Sequence, residues 1–108
     1  MPYLAVLKRH RPDPFLLTHG LDGWSLALDY KVEPHTRERL WRHCAMLTET
    51  VLEAGGRFYF AKDATLDASA VRRMFPPENL ARFLALKREL DPHSLLQTDL
   101  WRRAFAGS

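Results

Sequence analysis

The stretch GWSLALDYKV, residues 23–32, alternates large apolar side chains with small or polar ones without interruption. An alternation with a period of two is typical of a β-strand that has one apolar face. The apolar face carries Trp24, Leu26, Leu28, Tyr30 and Val32, and the other face carries Ser25, Ala27, Asp29 and Lys31. The sequence therefore predicts a strand over residues 23–32, and this is the clearest strand in the chain.

Three further elements surround this strand. The apolar run Tyr3–Leu7 is rich in strand formers, and Pro12 closes it because proline cannot donate to a sheet ladder. An amphipathic helix is predicted from Pro34 to the pair Gly55-Gly56, where a left-handed C-cap forms easily. The aromatic residues at 57–61 then predict another strand, so the first half of the chain is expected to be strand, helix and strand.

After Lys62 the pattern is helical. A short helix around Asp67–Met74 is predicted to end at Pro76-Pro77, and Pro77 suits the first turn of the next helix. Either Thr98 or Asp99 can cap a last short helix. The predicted fold class is therefore α+β, with antiparallel strands packed with one amphipathic helix and followed by C-terminal helices. The change of pattern also predicts two regions, residues 1–62 and 63–108.

Composition limits the function classes. Lysine and arginine number 16 and aspartate and glutamate 13, and because the two signs are interspersed, solvated helix faces are favoured over a nucleic-acid surface. The short apolar run at the N-terminus is followed by charge, which fits neither a signal peptide nor a membrane span. The single cysteine, Cys44, lies on the apolar helix stripe as a predicted core residue and favours a cytoplasmic protein. The five histidines lack metal-ligand spacing, so no metal is expected.

Several short motifs occur in a fixed order along nearly the whole chain. They are LKR (7–9), DGW (22–24), GGRFYFAKD (55–63), MFP (74–76), LDP (90–92) and TDLWRR (98–103). In this order they resemble the C-terminal part of FAD-linked oxidoreductases of the vanillyl-alcohol-oxidase superfamily, in particular the branch of decaprenylphosphoryl-β-D-ribose, aldonolactone and alditol oxidases. The resemblance implies FAD as the cofactor and the CH–OH group of a sugar-like or other alcohol as the group oxidised.

The resemblance implies roles for two residues of the run at 55–63. Lys62 is expected beside the flavin ring and the substrate, as a catalytic and cofactor-binding residue, with catalytic Tyr59 close by. A fixed cation suits this position because hydride transfer deposits negative charge on the flavin. In an unbroken strand the two side chains would point to opposite faces, so either the strand ends or bulges before Lys62, or Tyr59 belongs to the core. Without the resemblance, Lys62 would be an exposed lysine, free or paired with Asp63.

Ser25, Ala27 and Asp29 are the predicted substrate-binding residues, because small side chains on one strand face leave room for a substrate. The same residues would also suit the solvent face of a half-exposed strand. The relatives carry Asn and Cys at the positions of Ser25 and Ala27, so the substrate is expected to differ from theirs. His19 lies in the loop THGL (18–21), where the relatives have SFPM, and it either acts on a substrate or is simply solvated.

No glycine-rich phosphate-binding loop occurs in the sequence, and Gly55-Gly56 follows a helix, whereas a phosphate-binding turn precedes one. FAD is therefore not expected to be retained by this chain alone. In one hypothesis the chain is the C-terminal substrate-domain portion of an FAD-dependent oxidoreductase, incomplete without an FAD-binding domain or subunit. In the other it is a stand-alone α+β interaction module without activity, and a homodimer covers its exposed sheet edge.

Overall fold

The computed structural model describes residues 1–107 of the chain. Two strands, β1 (Leu4–His10) and β2 (Gly23–Asp29), form an antiparallel sheet. They are followed by α1 (Arg37–Glu53), a 3-10 turn (Phe60–Lys62), α2 (Ala68–Met74), α3 (Pro77–Leu90) and α4 (Asp99–Ala104). The predicted α+β fold class, with antiparallel strands and C-terminal helices, is confirmed.

Both strands of the sheet occur where the alternation of the sequence predicts them. In their register, Leu7 lies opposite Leu26 and Val6 lies opposite Ala27. The ladder ends where the N–H of Tyr3 donates to the carbonyl of Asp29 at 2.9 Å, so the predicted strand residues 30–32 lie beyond it. Residues directly opposite each other lie on the same face of the sheet. The register therefore determines which side chains of β1 lie on the same face as Ser25, Ala27 and Asp29.

The predicted strand over residues 57–61 is wrong. The segment is irregular and closes in the 3-10 turn. The ring of Phe60 packs against Phe75 and Phe105, with centroid separations of 5.8 and 5.7 Å. A strand would need a neighbouring strand to bond with, whereas burying this aromatic ring among the helices gives the segment its stability without one.

Helix α1 begins at Arg37, three residues after the predicted start at Pro34. The N–H groups of Thr36 and Arg37 donate to the carbonyl of Glu33 at 3.0 and 2.9 Å, and this turn occupies the first predicted helical residues. At the other end Gly55 has φ of +75°, as the predicted left-handed cap requires.

The three C-terminal helices agree with the prediction. The side chain of Asp67 accepts a hydrogen bond from the N–H of Ala70 at 2.8 Å and caps α2. Pro77 is the first residue of α3. The hydroxyl oxygen of Thr98 accepts a hydrogen bond from the N–H of Trp101 at 3.1 Å, so Thr98 and not Asp99 caps α4.

The hydrophobic core lies among the helices and not at the sheet. Its buried apolar residues are Leu66, Ala70, Val71, Met74, Phe75, Ala104 and Phe105. Leu17, Leu52 and Phe60 pack against this cluster from the first half of the chain. Within residues 1–107, β1 and β2 contribute no buried hydrophobic side chain to it.

Both faces of the sheet are partly open. On the apolar face Leu7, Trp24 and Leu26 are 61%, 68% and 58% exposed, and on the other face Leu4 and Val6 are 48% and 37% exposed.

Helix α1 lies beside β2, since Leu47 and Val51 share one cavity with Trp24 and Leu26. Cys44 and Leu47 line a further recess of about 260 Å³ with Leu26 and others. Cys44 is half-buried there and not part of the core, and burial raises the pKa of its thiol. Among residues 1–107, no helix combines the length and apolar character that a membrane crossing requires.

Candidate functional site

A cleft of about 420 Å³, called the β2 cleft below, is lined by side chains from both faces of β2, among them Ser25, Leu26 and Ala27. Its other wall is formed by Leu47 and Val51 of α1 and by the segment between α1 and α2. Six of its lining residues bear a polar group or lie beside one, and they are His10, His19, Ser25, Ala27, Tyr59 and Lys62. Four of these, all except the two histidines, are predicted site residues from two distant parts of the sequence, and the fold brings them to one place.

The 3-10 turn allows Tyr59 and Lys62 to lie on the same side, which an unbroken strand would not allow. The N–H of Lys62 donates to the carbonyl of Tyr59 at 3.0 Å. Residues three apart in such a turn lie on the same side, unlike residues three apart in a strand. Tyr59 is exposed and lines the cleft, so it does not belong to the core. Both side chains therefore line the same cleft.

Lys62 pairs with Asp29 and not with its neighbour in sequence. The Nζ atom of Lys62 lies 3.4 Å from a carboxylate oxygen of Asp29 at the end of β2. About half of the Lys62 side chain stays exposed, so its ammonium group has donors left for another partner. Asp29, the third predicted substrate-binding residue, is not among the residues that line the cleft and adjoins it only through this ion pair with Lys62.

Asp63 has a structural role instead. Its carboxylate accepts hydrogen bonds from the N–H groups of Thr65 and Leu66 at 2.9 and 3.0 Å. The guanidinium of Arg103 donates to its second oxygen at 2.7 Å and connects α4 to this turn. The alternative that Lys62 pairs with Asp63 is therefore wrong.

Two histidines stand beside Tyr59 in the cleft. The Nε2 atom of His10, in β1, lies 2.6 Å from Oγ of Ser25, in β2. The ring of His19 contacts the ring of His10 edge-on at a centroid separation of 4.9 Å and that of Tyr59 at 4.5 Å. Sequence reasoning missed His10, because only the strand register places it on the same face as Ser25.

The loop between the strands holds His19 in this position. Asp13 accepts hydrogen bonds from the N–H of Phe15 and the hydroxyl of Thr18, and that hydroxyl oxygen accepts the N–H of Gly20. Gly20 is buried, and a Cβ there would lie 2.8 Å from the Asp13 carboxylate, so a larger residue would disturb the loop. Arg57 donates to the carbonyl of Thr18 at 3.0 Å and connects the loop to the opposite wall.

Two permanent cations, Arg57 and Lys62, line the cleft. Within residues 1–107 the lining includes no carboxylate, although Asp29 lies beside Lys62 just outside it. Burial lowers the pKa of His19, and the positive charge of His10 lowers it further. His19 is therefore the neutral imidazole at neutral pH and can accept a proton. The described residues include no group of three potential metal ligands.

The residues present fit one part of FAD and not the other. Lys62 and Tyr59 are exposed polar groups at the cleft, where a flavin ring could approach them. The pyrophosphate would need N–H groups at a helix N-terminus, whereas Gly55-Gly56 follows the C-terminus of α1, where the helix dipole is negative.

No protein-family model matches this chain. The chain is similar to decaprenylphosphoryl-β-D-ribose oxidase of Mycolicibacterium smegmatis, with 29% identity over 102 residues. The similarity covers 94% of this chain but only 21% of that enzyme, so the chain spans about a fifth of the length of this curated relative.

Proposed function

We propose that this chain is the C-terminal substrate-side portion of an FAD-dependent oxidoreductase that oxidises a CH–OH group of a sugar-like alcohol. It acts together with an FAD-binding domain or subunit. The observation that carries the proposal is the β2 cleft, where Ser25, Ala27, Tyr59 and Lys62 meet from segments about thirty residues apart. The similarity to an oxidase that acts on a ribose derivative supports the same function.

A flavin held beside the cleft would supply the hydride acceptor for oxidation of the alcohol carbon. Lys62 provides a positive charge near the reacting groups, and Asp29 fixes its position at 3.4 Å. A cation held in place before the reaction stabilises developing negative charge without reorganising during it. Tyr59 supplies a hydroxyl group on the same side and orients the substrate.

The substrate is proposed to be a small polyhydroxylated molecule. The cleft volume of about 420 Å³ is in the range of small-molecule sites. Ser25 offers a hydroxyl and Ala27 leaves space beside it, so this wall suits the hydroxyl-bearing ring or chain of a sugar.

The regions 1–62 and 63–108 are proposed to be the end of a substrate domain and a helical segment that contacts the FAD-binding part. Two features support this. The helical core is closed around Val71 and Phe105, whereas the sheet leaves Trp24 and Leu26 exposed. A two-stranded sheet with an uncovered apolar face is rarely stable alone, so further strands or another domain are expected to cover it.

The test is to tag the chain in its own cells, isolate it under mild conditions and record the visible spectrum of the recovered material. We expect the absorbance of oxidised flavin, carried by a second polypeptide or domain. The purified chain alone, titrated with FAD, is expected to show no saturable change in flavin fluorescence. Recovery of the chain as a flavin-free homodimer would contradict the proposal and favour the interaction module.

A further inference from the structure

The β2 cleft contains two histidines, His10 and His19, that the proposed function does not use. His10, His19 and Ser25 come from β1, the following loop and β2, and their side chains are in contact. The ring of His19 also contacts the ring of Tyr59, which is three residues from Lys62. The group therefore lies across the cleft from the proposed site of oxidation and in contact with it.

Oxidation of an alcohol needs a proton acceptor as well as a hydride acceptor. The C–H bond breaks with its electron pair leaving as hydride to the flavin, the O–H bond breaks, and the carbonyl C=O bond forms. The proton from the hydroxyl group must pass to a base within hydrogen-bond reach. Lys62 is a cation and Asp29 is held in its ion pair, so neither is suited to accept that proton.

We infer that His19 is the base that accepts the substrate hydroxyl proton, and that His10, held by Ser25, positions it. This inference rests on the proposed function. Within residues 1–107 no side-chain nitrogen of His19 is buried without a hydrogen-bond partner, so its ring nitrogens can meet a hydroxyl group in the cleft. The T-shaped contact with His10 and the tilted contact with Tyr59 restrict the orientation of the ring.

The surroundings of His19 favour its neutral form, which is the form that accepts a proton. Burial is the largest cause of its lowered pKa, His10 and then Lys8 in β1 lower the pKa further, and Asp13 in the loop opposes them. Arg57 and Lys62 are the cations of the opposite wall, and Tyr59 is the titratable group in contact with the ring.

One readout needs no flavin. The imidazole proton resonances of the purified chain are followed by NMR from acidic to basic pH. We expect His19 to titrate below the usual histidine value of about 6.5. We expect its pKa to rise in His10→Gln, which removes a positive neighbour. A His19 pKa that is ordinary and insensitive to His10 would overturn the inference.

The second readout uses the flavin-containing complex and the rate of anaerobic flavin reduction by ribitol, xylitol and D-ribose as probe alcohols. The rate is expected to rise with pH through the His19 pKa. His19→Ala is expected to abolish this rise of the rate with pH and to lower the rate by about 100-fold or more. Added free imidazole is expected to restore part of the rate of this variant. His35→Ala, an exposed histidine near Glu33, is the control and should behave as the parent.

The two possible failures are distinguishable. If the parent complex does not reduce its flavin with any of these alcohols, the proposed function fails and the inference fails with it. If the parent reduces flavin, and the rate for His19→Ala shows the same rise with pH and does not respond to imidazole, the proposed function stands and His19 is not the base.

Discussion

Lys62 and Asp63 are adjacent in the sequence but have opposite surroundings. The carboxylate of Asp63 is nearly inaccessible and binds two backbone N–H groups and Arg103, whereas the ammonium group of Lys62 is half-exposed. Removal of a buried charged acceptor leaves its donors without partners, and removal of an exposed partner does not. Asp63 is thus suited to stabilise the fold, and Lys62 is suited to bind another molecule.

We therefore expect Asp63→Ala to lower the free energy of unfolding by about 2–4 kcal/mol. Lys62→Ala is expected to change it by less than about 1 kcal/mol. Urea unfolding of the two variants, followed by circular dichroism, gives both values. Equal losses would show that Lys62 is a structural residue, against its proposed place at the substrate.

The carboxylate of Asp91 stabilises the turn after α3 by accepting several hydrogen bonds. A hydrogen bond from Lys87, followed by those from the N–H groups of Leu96 and Leu95, lowers the pKa of Asp91 to about 2. A carboxyl whose pKa is lower in the folded state stabilises the fold above its unfolded pKa, and this stabilisation is lost as the pH falls towards the folded value.

The stability of the parent chain is therefore expected to fall between about pH 4 and pH 2 by a component that Asp91→Asn lacks. At neutral pH the variant should be the less stable of the two, and the difference should shrink as the pH decreases. Thermal melting at several pH values measures this difference. A constant difference across that interval would contradict the assigned role of Asp91.

At the scale of elements, the sequence predicted both strands and all four helices because each has a clear period or a clear cap. The segment at 57–61 was mispredicted because aromatic residues favour strands locally. Its actual form depends on Phe75 and Phe105, which come later in the chain and draw the Phe60 ring among the helices. The same tertiary contact creates the turn that places Tyr59 beside Lys62.

The elements also differ in what they contribute to stability. Val71 in α2 is 1% exposed, whereas Leu26 in β2 is 58% exposed. We expect Val71→Ala to cost about 2–3 kcal/mol and Leu26→Ala less than about 0.5 kcal/mol in the isolated chain. Chemical denaturation with both variants compares them. A large cost for Leu26→Ala in the isolated chain would mean that the apolar sheet face is already covered, as in a homodimer.

At the scale of the whole molecule, four of the predicted site residues lie together, while their roles stay a prediction. Ser25, Ala27, Tyr59 and Lys62 do line one cleft. The sequence could not show that side chains from both faces of β2 line this cleft, because periodicity divides a strand into two faces without saying what covers each of them. For the same reason it could not find His10, which reaches Ser25 only through the pairing of two strands.

In the proposed function, this chain binds the substrate, and an FAD-binding domain or subunit holds the flavin. The most direct measurement is the rate of anaerobic flavin reduction by ribitol, xylitol and D-ribose in the flavin-containing complex, compared between the parent, Lys62→Ala and Lys31→Ala. Lys31 is an exposed lysine paired with Glu33 and serves as the matched control. We predict that Lys62→Ala retains flavin but reduces it at least about 100-fold more slowly, while Lys31→Ala is unchanged. Equal rates in all three would contradict the central claim.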